Sequence, residues 1–271
     1  MKKLFQIIGL ISLMGFSFFY TEKTVSVIKE YDEIMIEIKN IKSKYQKKYI
    51  NAYIKNDTII PGISGVEVDI NKSYSKMKKY GSFDESLIVL KKIEPKISIN
   101  NNNKYIISGN KNKRNVSILF VIKDNDNIDK LVNILDNKKI KGNFIINDNW
   151  LEKNTNLVPI LIKEKHNVGI FEYDGFDYSY SVIKKIGKQK NIYCYLIKKN
   201  TDVLKKCSNN YTIIPNIIIN KNPYENTKKI TNGSIISYEL NNELIEELPI
   251  VINYINSKGY NIVTLNKLLQ E

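Results

Sequence analysis

The second half of the chain alternates between short apolar runs and segments with helical spacing, and this alternation restricts the fold more than any other feature. Continuous apolar runs occupy residues 116–122, 140–147, 168–172, 191–197, 211–219 and 233–240. Between them lie segments with apolar residues three and four apart, such as Ile128, Leu131, Val132 and Leu135. Apolar strands that alternate with helices are typical of parallel sheets buried on both faces. The pattern predicts an α/β fold with about seven βα units.

The N-terminus carries a targeting signal. Met1, Lys2 and Lys3 precede the uncharged run LFQIIGLISLMGFSFFY at residues 4–20. A run of about 17 residues lies between the length of a secretory signal and that of a membrane span. No small-residue cleavage site follows, so we predict an uncleaved membrane anchor at residues 1–24, with the rest of the chain extracytoplasmic. The alternative is a cleaved signal peptide and a secreted protein.

Residues 25–50 are predicted to form a helical stalk. An apolar seam spaced three and four residues apart runs through Tyr31, Ile34, Ile38, Ile41 and Tyr45. The seam covers only roughly two to three heptads, so it suits packing on its own domain as well as weak self-association. Residues 51–113 contain helix breakers and a polar run, and we predict a small α+β region and linker there. The main domain is then residues 114–271.

The charge of the chain bears on its partners. The formal net charge is +14 and the isoelectric point is about 9.4. The lysines are spread along the chain, and no arginine-rich stripe or zinc-finger spacing accompanies them, so we expect no nucleic-acid partner. A basic surface would favour anionic wall polymers or lipid headgroups.

Few side chains suit a zinc site. His166 is the only histidine, and the spacing of Cys194 and Cys207 matches no metal-binding motif. A nitrogen- or sulfur-rich zinc site therefore cannot form within one chain. We expect His166 to be structural and no cofactor to be bound. The cysteines are compatible with a disulfide, but buried free thiols are the favoured interpretation.

Several segments taken together resemble the NodB-type polysaccharide deacetylases, carbohydrate esterase family 4. VSILFVIKD (116–124) and IKGNFIIN (140–147) follow the family frame V-x-L-T-F-D-D-G … K-A-T-F-F, and EKHNVGIFEYDG (164–175) follows EGHEIGNHTYSH. LPIVINYINSKGYNIVTLNKLL (248–269) resembles the family's closing helix and K-G-Y-x-F/I-V-T-L strand. The resemblance covers residues 116–271 and implies a distorted (β/α) barrel of about seven parallel strands.

The resemblance also implies a chemistry whose residues are replaced here. In the family an Asp and two His hold a divalent metal, a second Asp is the general base and a later His the general acid. These positions fall on Val121, Ile122, Phe171, Gly175 and Glu239. We therefore predict no catalytic or metal-binding residue at the family positions. The expected protein is catalytically inactive and binds a cell-wall glycan or an envelope protein.

Two further hypotheses concern the ends of the predicted strands. Four carboxylates, Asp124, Glu172, Asp174 and Glu239, follow strands, and together they could hold a hard divalent cation. The alternative function is then an active deacetylase with a relocated metal site. Aromatic rings also gather there, and sugars stack on aromatic faces. The candidate glycan contacts are Phe171, Tyr173, Tyr178, Tyr193, Tyr195 and Tyr238.

Overall fold

The computed structural model describes residues 2–123, 127–171, 176–189 and 191–271. The chain forms two compact units. The smaller comprises Met1–Tyr49 and Ser64–Ile93, and the larger comprises Ile50–Ile63 and Glu94–Glu271. Residues 51–113, predicted as one intermediate region, are therefore divided between both units.

The described residues contain helices and strands whose bounds are as follows. The helices are α1 (Lys2–Glu30), α2 (Glu33–Tyr45), α3 (Ile70–Lys78), α4 (Ile128–Asn137), α5 (Asp148–Asn154), α6 (Leu157–Lys163), α7 (Phe176–Gly187), α8 (Thr201–Lys206), α9 (Pro223–Thr227), α10 (Asn242–Ser257) and α11 (Leu265–Leu268). The strands are β1 (Tyr53–Lys55), β2 (Thr58–Ile60), β3 (Gly65–Val68), β4 (Leu90–Ile93), β5 (Tyr105–Ile106), β6 (Asn115–Ile122), β7 (Asn143–Ile146), β8 (Asn167–Phe171), β9 (Tyr193–Tyr195), β10 (Tyr211–Ile213), β11 (Ile217–Ile219), β12 (Ile235–Glu239) and β13 (Asn261–Ile262).

The larger unit is built on a curled sheet. Its strand order is β1-β2-β5-β10-β9-β8-β7-β6-β12-β11, and β13 pairs with β6. Every neighbouring pair from β10 to β11 is parallel, so this part of the sheet is a run of seven parallel strands. The predicted α/β fold with a curled, barrel-like parallel sheet is confirmed.

The connection between β10 and β11 explains the curl. The sequence predicts one strand over residues 211–219, and this is wrong because the segment divides at Ile214–Asn216. Pro215 has no N–H to donate to a sheet. The two strands lie at opposite ends of the parallel run, yet the link between them spans at most roughly 14 Å. The sheet must therefore bend back until its ends approach each other.

Segments that precede the main domain in sequence also join this sheet. β1 and β2 form an antiparallel hairpin, β2 pairs in parallel with β5, and β5 pairs in parallel with β10. Residues 50–63 and 94–113 thereby complete the larger unit rather than linking to it.

Each central strand is buried on both faces, and β6 shows how. Val116, Ile118, Phe120 and Ile122 pack against the surrounding helices, in what we call the outer layer. Leu119 and Val121 point to the inside of the curled sheet, the inner layer. Burial on both faces is the reason that these strands are apolar throughout.

A disulfide lies within the outer layer. Cys194 on β9 and Cys207 at the end of α8 are bonded, with their Cα atoms 6.6 Å apart, and both are fully buried. The expectation of free thiols is therefore wrong. No motif marked the pair, because the short βα connection that brings the residues together is visible only in the fold.

The smaller unit contains the predicted stalk. α2 begins at its N-cap Asp32, whose Oδ1 accepts a hydrogen bond from Ile34 N at 3.1 Å. Ile34 and Ile38 pack with Val68 and Met77 of the same unit. The predicted apolar seam thus packs within its own unit, which is one of the two alternatives, packing on its own domain or self-association, that its length allowed.

The apolar run at residues 4–20 lies within α1. Among the residues that the structure describes, no helix combines the length and the apolar character needed to cross a membrane. The run is shorter than the roughly 20 residues of a typical span. The membrane anchor predicted at residues 1–24 is therefore not supported.

Candidate functional site

The parallel strands all end at one edge of the sheet, which we call the C-terminal edge, and sites in βα folds lie at such edges. β6 ends with Val121 and Ile122, β8 with Phe171 and β12 with Glu239. Val121 pairs in register with Ile145 on one side and with Glu239 on the other. The fold thus brings together the described positions at which the resemblance implies catalytic groups.

Apolar packing fills the inner layer at this edge. Val121 and Phe171 are buried, and the Phe171 ring stacks on Tyr195 with centroids 5.1 Å apart and planes 26° apart. The Tyr195 hydroxyl lies 2.9 Å from Ser237 Oγ. Burial raises the pKa of Tyr195, so the phenol stays protonated at neutral pH. Ile122 points the other way, into the outer layer.

The resemblance implies catalytic groups at several positions of this edge. Among those positions that the structure describes, Glu239 is the one that carries a carboxylate. Its Oε1 lies 3.0 Å from the Lys123 ammonium, and each side chain is a little over one third exposed, at 38% and 37%. The lysine neutralises the carboxylate electrostatically, and a cation would have to displace it. The pair itself contributes little to stability, because exposed ion pairs are weak.

The residues that the structure describes at this edge do not fit the metal that the resemblance implies. Val121, Ile122 and Phe171 have no side-chain lone pair to donate, and Glu239 is held by Lys123. Within the described ranges, no three His, Cys, Asp or Glu side chains come together as a metal site requires. Five of the predicted positions, Asp124, Glu172, Tyr173, Asp174 and Gly175, lie outside the described residues.

The predicted glycan-contacting rings do not form one surface. Phe171, Tyr193 and Tyr195 lie in the inner layer, where Tyr193 is only 1% exposed. Tyr238 belongs to the outer layer, is also 1% exposed, and its hydroxyl shares a hydrogen bond with Thr227 Oγ1. Tyr178 lies on α7 and is 46% exposed. The buried rings offer no free face on which a sugar could stack.

The strands begin at the opposite edge, the N-terminal edge, and a buried amide network lies there. Asn143 Nδ2 donates to Ser117 Oγ at 2.9 Å and to Ile118 O at 2.7 Å. Asn143 Oδ1 accepts from Asn167 Nδ2 at 2.9 Å and from Leu265 N at 2.8 Å. Asn266 Nδ2 donates to Asn167 Oδ1 at 2.8 Å, and the Tyr193 hydroxyl donates to Asn266 Oδ1.

This network fixes the C-terminal segment to the start of the sheet, and sequence reasoning missed it. The available signal was an asparagine at the first position of two successive apolar strands, Asn143 and Asn167. An amide there can be buried only if several partners satisfy it.

His166 also lies at the N-terminal edge, immediately before β8. It is 2% exposed, its Nδ1 accepts a hydrogen bond from Gly142 N at 3.1 Å, and its ring meets Phe144 edge-on at 5.0 Å. Burial, helped by the charge of Lys141 and opposed by Asp136, lowers the pKa of His166 to about 4. The imidazole is therefore neutral and structural, and it lies at the wrong edge to serve as a metal ligand beside Val121.

Comparisons with known proteins agree with this architecture. No family model matches the chain. The solved structure of wild-type BA3943, a CE4 family pseudoenzyme from Bacillus anthracis, superposes with a TM-score of 0.64 at 20% identity, covering 89% of this chain and 96% of that one. PdaA of Bacillus subtilis, a family 4 carbohydrate esterase, gives a TM-score of 0.53 at 18% identity, covering 82% and 97%. The chain has the fold of carbohydrate esterase family 4.

A curated relative adds a sequence match. The uncharacterized protein YlxY of Bacillus subtilis is 31% identical over 169 residues, which are 61% of this chain and 53% of YlxY. The match thus spans about half the length of that relative. The predicted NodB-type resemblance is confirmed at the level of the fold.

Proposed function

We propose that this chain is a deacetylase-like protein without hydrolytic activity that binds a cell-wall glycan or an envelope protein. One observation carries the loss of activity: Val121 and Phe171 occupy inner-layer positions at which the resemblance implies an Asp and a metal-binding His, and Phe171 packs on Tyr195. Without a metal, neither the acetyl carbonyl is polarised nor a water activated.

A structural neighbour supports the persistence of this fold without activity. BA3943 is described as a CE4 family pseudoenzyme, and a mutant of that protein as having restored enzymatic activity. The present chain superposes on that mutant with a TM-score of 0.65 at 21% identity, over 89% of this chain and 99% of that one.

An extracytoplasmic location is part of the proposal. The Cys194–Cys207 disulfide supports it, because structural disulfides persist mainly in oxidising compartments. The net charge of +14 is compatible with binding next to anionic wall polymers.

The alternative is an active deacetylase that uses relocated carboxylates. The position of Glu239 at the C-terminal edge favours this alternative, whereas the ion pair of Glu239 with Lys123 opposes it. The other three carboxylates of the alternative metal site, Asp124, Glu172 and Asp174, lie outside the described residues.

A measurement of acetate release distinguishes the inactive protein that we propose from the active deacetylase. The full chain would be incubated with N-acetylated chito-oligosaccharides and with peptidoglycan fragments, in the presence of Zn²⁺, Mn²⁺ or Co²⁺. We expect no acetate above a protein-free blank. Release that Glu239→Gln abolishes, and that the exposed control Glu246→Gln on α10 retains, would overturn the proposal and establish the alternative.

A further inference from the structure

A polar cleft lies at the N-terminal edge of the larger unit, away from Val121 and Glu239. Its volume is about 390 Å³. Residues 99–104 ahead of β5, Asn191 ahead of β9 and residues 208–211 leading into β10 form its walls. Since β5, β9 and β10 are parallel neighbours, their first residues meet at the same edge.

Uncharged amides dominate the cleft. Seven asparagines line it, four of them consecutive from Asn100 to Asn103. No carboxylate is among the lining residues, so a hard cation would lack its preferred ligands. Lys104 is the one lysine among the described lining residues, and its ammonium donates to Asn56 O at 2.8 Å. Within that part of the lining, an anion would therefore find only a cation that is already engaged.

Internal hydrogen bonds orient several of these amides by one end only. Asn100 Oδ1 accepts from the Tyr211 hydroxyl at 2.6 Å. Asn102 Nδ2 donates to Ser98 O at 2.8 Å, and Asn103 Nδ2 donates to Leu204 O at 3.0 Å. The other end of each amide has no partner among the described residues. Such groups are held in place before a ligand arrives, which reduces the entropy cost of binding.

One aromatic ring and two isoleucines also line the cleft. Tyr211 is partly buried, and its ring stacks on Tyr193 with centroids 6.0 Å apart and planes 24° apart. Ile99 and Ile106 line the cleft and are buried. A ring supported from behind, beside free donors and acceptors, is suited to a ligand with both apolar C–H faces and polar edges.

We propose that this cleft binds a short neutral saccharide. Sugar hydroxyls both donate and accept hydrogen bonds, as primary amides do, and their C–H faces stack on aromatic rings. The volume lies within the range of about 300–1,000 Å³ that is usual for small-ligand sites. The inference rests on the proposed glycan-binding function for the nature of its ligand, and it places that ligand at the edge opposite to the one where the CE4 fold would hold its metal.

Calorimetric titration of the full chain with N-acetylchitotetraose tests the site. The double variant N101A/N209A removes two lining amides that make no side-chain hydrogen bond among the described residues, so the fold is not disturbed. The matched control N40A/N149A removes two exposed asparagines outside the cleft that are equally unbonded. Two lost hydrogen bonds predict a roughly tenfold rise in Kd for N101A/N209A and no change for the control.

A second measurement locates the ligand independently. In side-chain amide NMR spectra of the full chain, resonances of Asn100 to Asn103 should shift on titration and those of Asn149 should not. An unchanged Kd in N101A/N209A would show that the saccharide binds elsewhere than in this cleft, and it would leave the proposal of glycan binding intact. Absence of binding at millimolar ligand, or binding that weakens steeply with salt, would overturn the neutral-saccharide assignment. None of these outcomes alters the acetate-release test of the proposed function.

Discussion

The two edges of the parallel sheet differ in the kind of contacts that hold them together. At the C-terminal edge, Phe171 stacks on Tyr195 and Val121 lies in the same inner layer. The side-chain polar contacts described above for that edge are an exposed Lys123–Glu239 pair and a hydrogen bond between Tyr195 and Ser237. At the N-terminal edge, Asn143, Asn167 and Asn266 form a buried network in which each amide has several partners.

This difference shows that a βα scaffold separates stability from chemistry. The network at the N-terminal edge connects β6, β7, β8 and α11, so we expect the fold to depend on it. The C-terminal edge is where βα folds place their sites. Its residues can therefore change from ligands to apolar fillers while the fold persists, because a fold does not determine a function.

The largest expected effect is at the N-terminal edge. Asn143→Ala removes four hydrogen bonds and leaves Leu265 N and Asn167 Nδ2 buried without their partner. We expect the free energy of unfolding to fall by about 4 kcal/mol, measured by urea denaturation. The exposed Asn149→Ala should change it by less than about 0.5 kcal/mol. Equal effects of the two substitutions would remove the contrast between the edges.

The disulfide contributes to the scaffold that both edges share. Cys194 and Cys207 close a short loop with a sequence separation of 13. A disulfide that closes a loop of this size stabilises the folded protein by about 3 kcal/mol, mainly by restricting the unfolded chain. Cys194→Ala/Cys207→Ala should lower the free energy of unfolding by that amount, and a reductant should destabilise the wild type but not the variant. A wild type indifferent to reductant would show that the bond does not form.

The pH dependence of stability should arise at the N-terminal edge. The pKa of His166 is about 4 in the folded protein and ordinarily 6.5. The unfolded chain therefore binds a proton first, and stability is lost as the pH falls from about 7 toward 4. Between pH 7 and pH 5 the loss should be about 2 kcal/mol. Since His166 is the only histidine, His166→Gln should flatten the profile over that interval, and an unchanged slope would contradict the assignment.

The smallest effect is expected at the C-terminal edge. Tyr195→Phe keeps the ring on Phe171 and removes only the hydroxyl contact with Ser237. We expect a loss of about 1 kcal/mol in the free energy of unfolding. A loss as large as that of Asn143→Ala would mean that the C-terminal edge is held by polar contacts too, and the comparison would fail.

The alternation of strands and helices was readable from the sequence because parallel strands are apolar on both faces. That same property hides which face each residue takes. Val121 and Ile122 are neighbours of similar character, yet one lies in the inner layer and the other in the outer layer. Tyr238 was grouped with Tyr195 for the same reason, although the two point to opposite faces.

Contacts between distant segments were not predictable either. The hairpin of β1 and β2 joins β5 across more than forty residues, and no local pattern encodes such a pairing. α5 was missed because its apolar face is short, with Trp150 and Leu151 as its buried residues. The family frame, by contrast, placed Phe171 and Glu239 at strand ends, and both lie there in the structure.

The central claim is that the C-terminal edge has lost its metal site while the fold remains. The most direct test is the metal content of the full chain, measured by mass spectrometry after incubation with Zn²⁺ or Mn²⁺ and removal of unbound ions. We expect far less than one ion per chain. One ion per chain, lost on Glu239→Gln and retained in Glu246→Gln, would show that a metal site exists at this edge and would contradict the account.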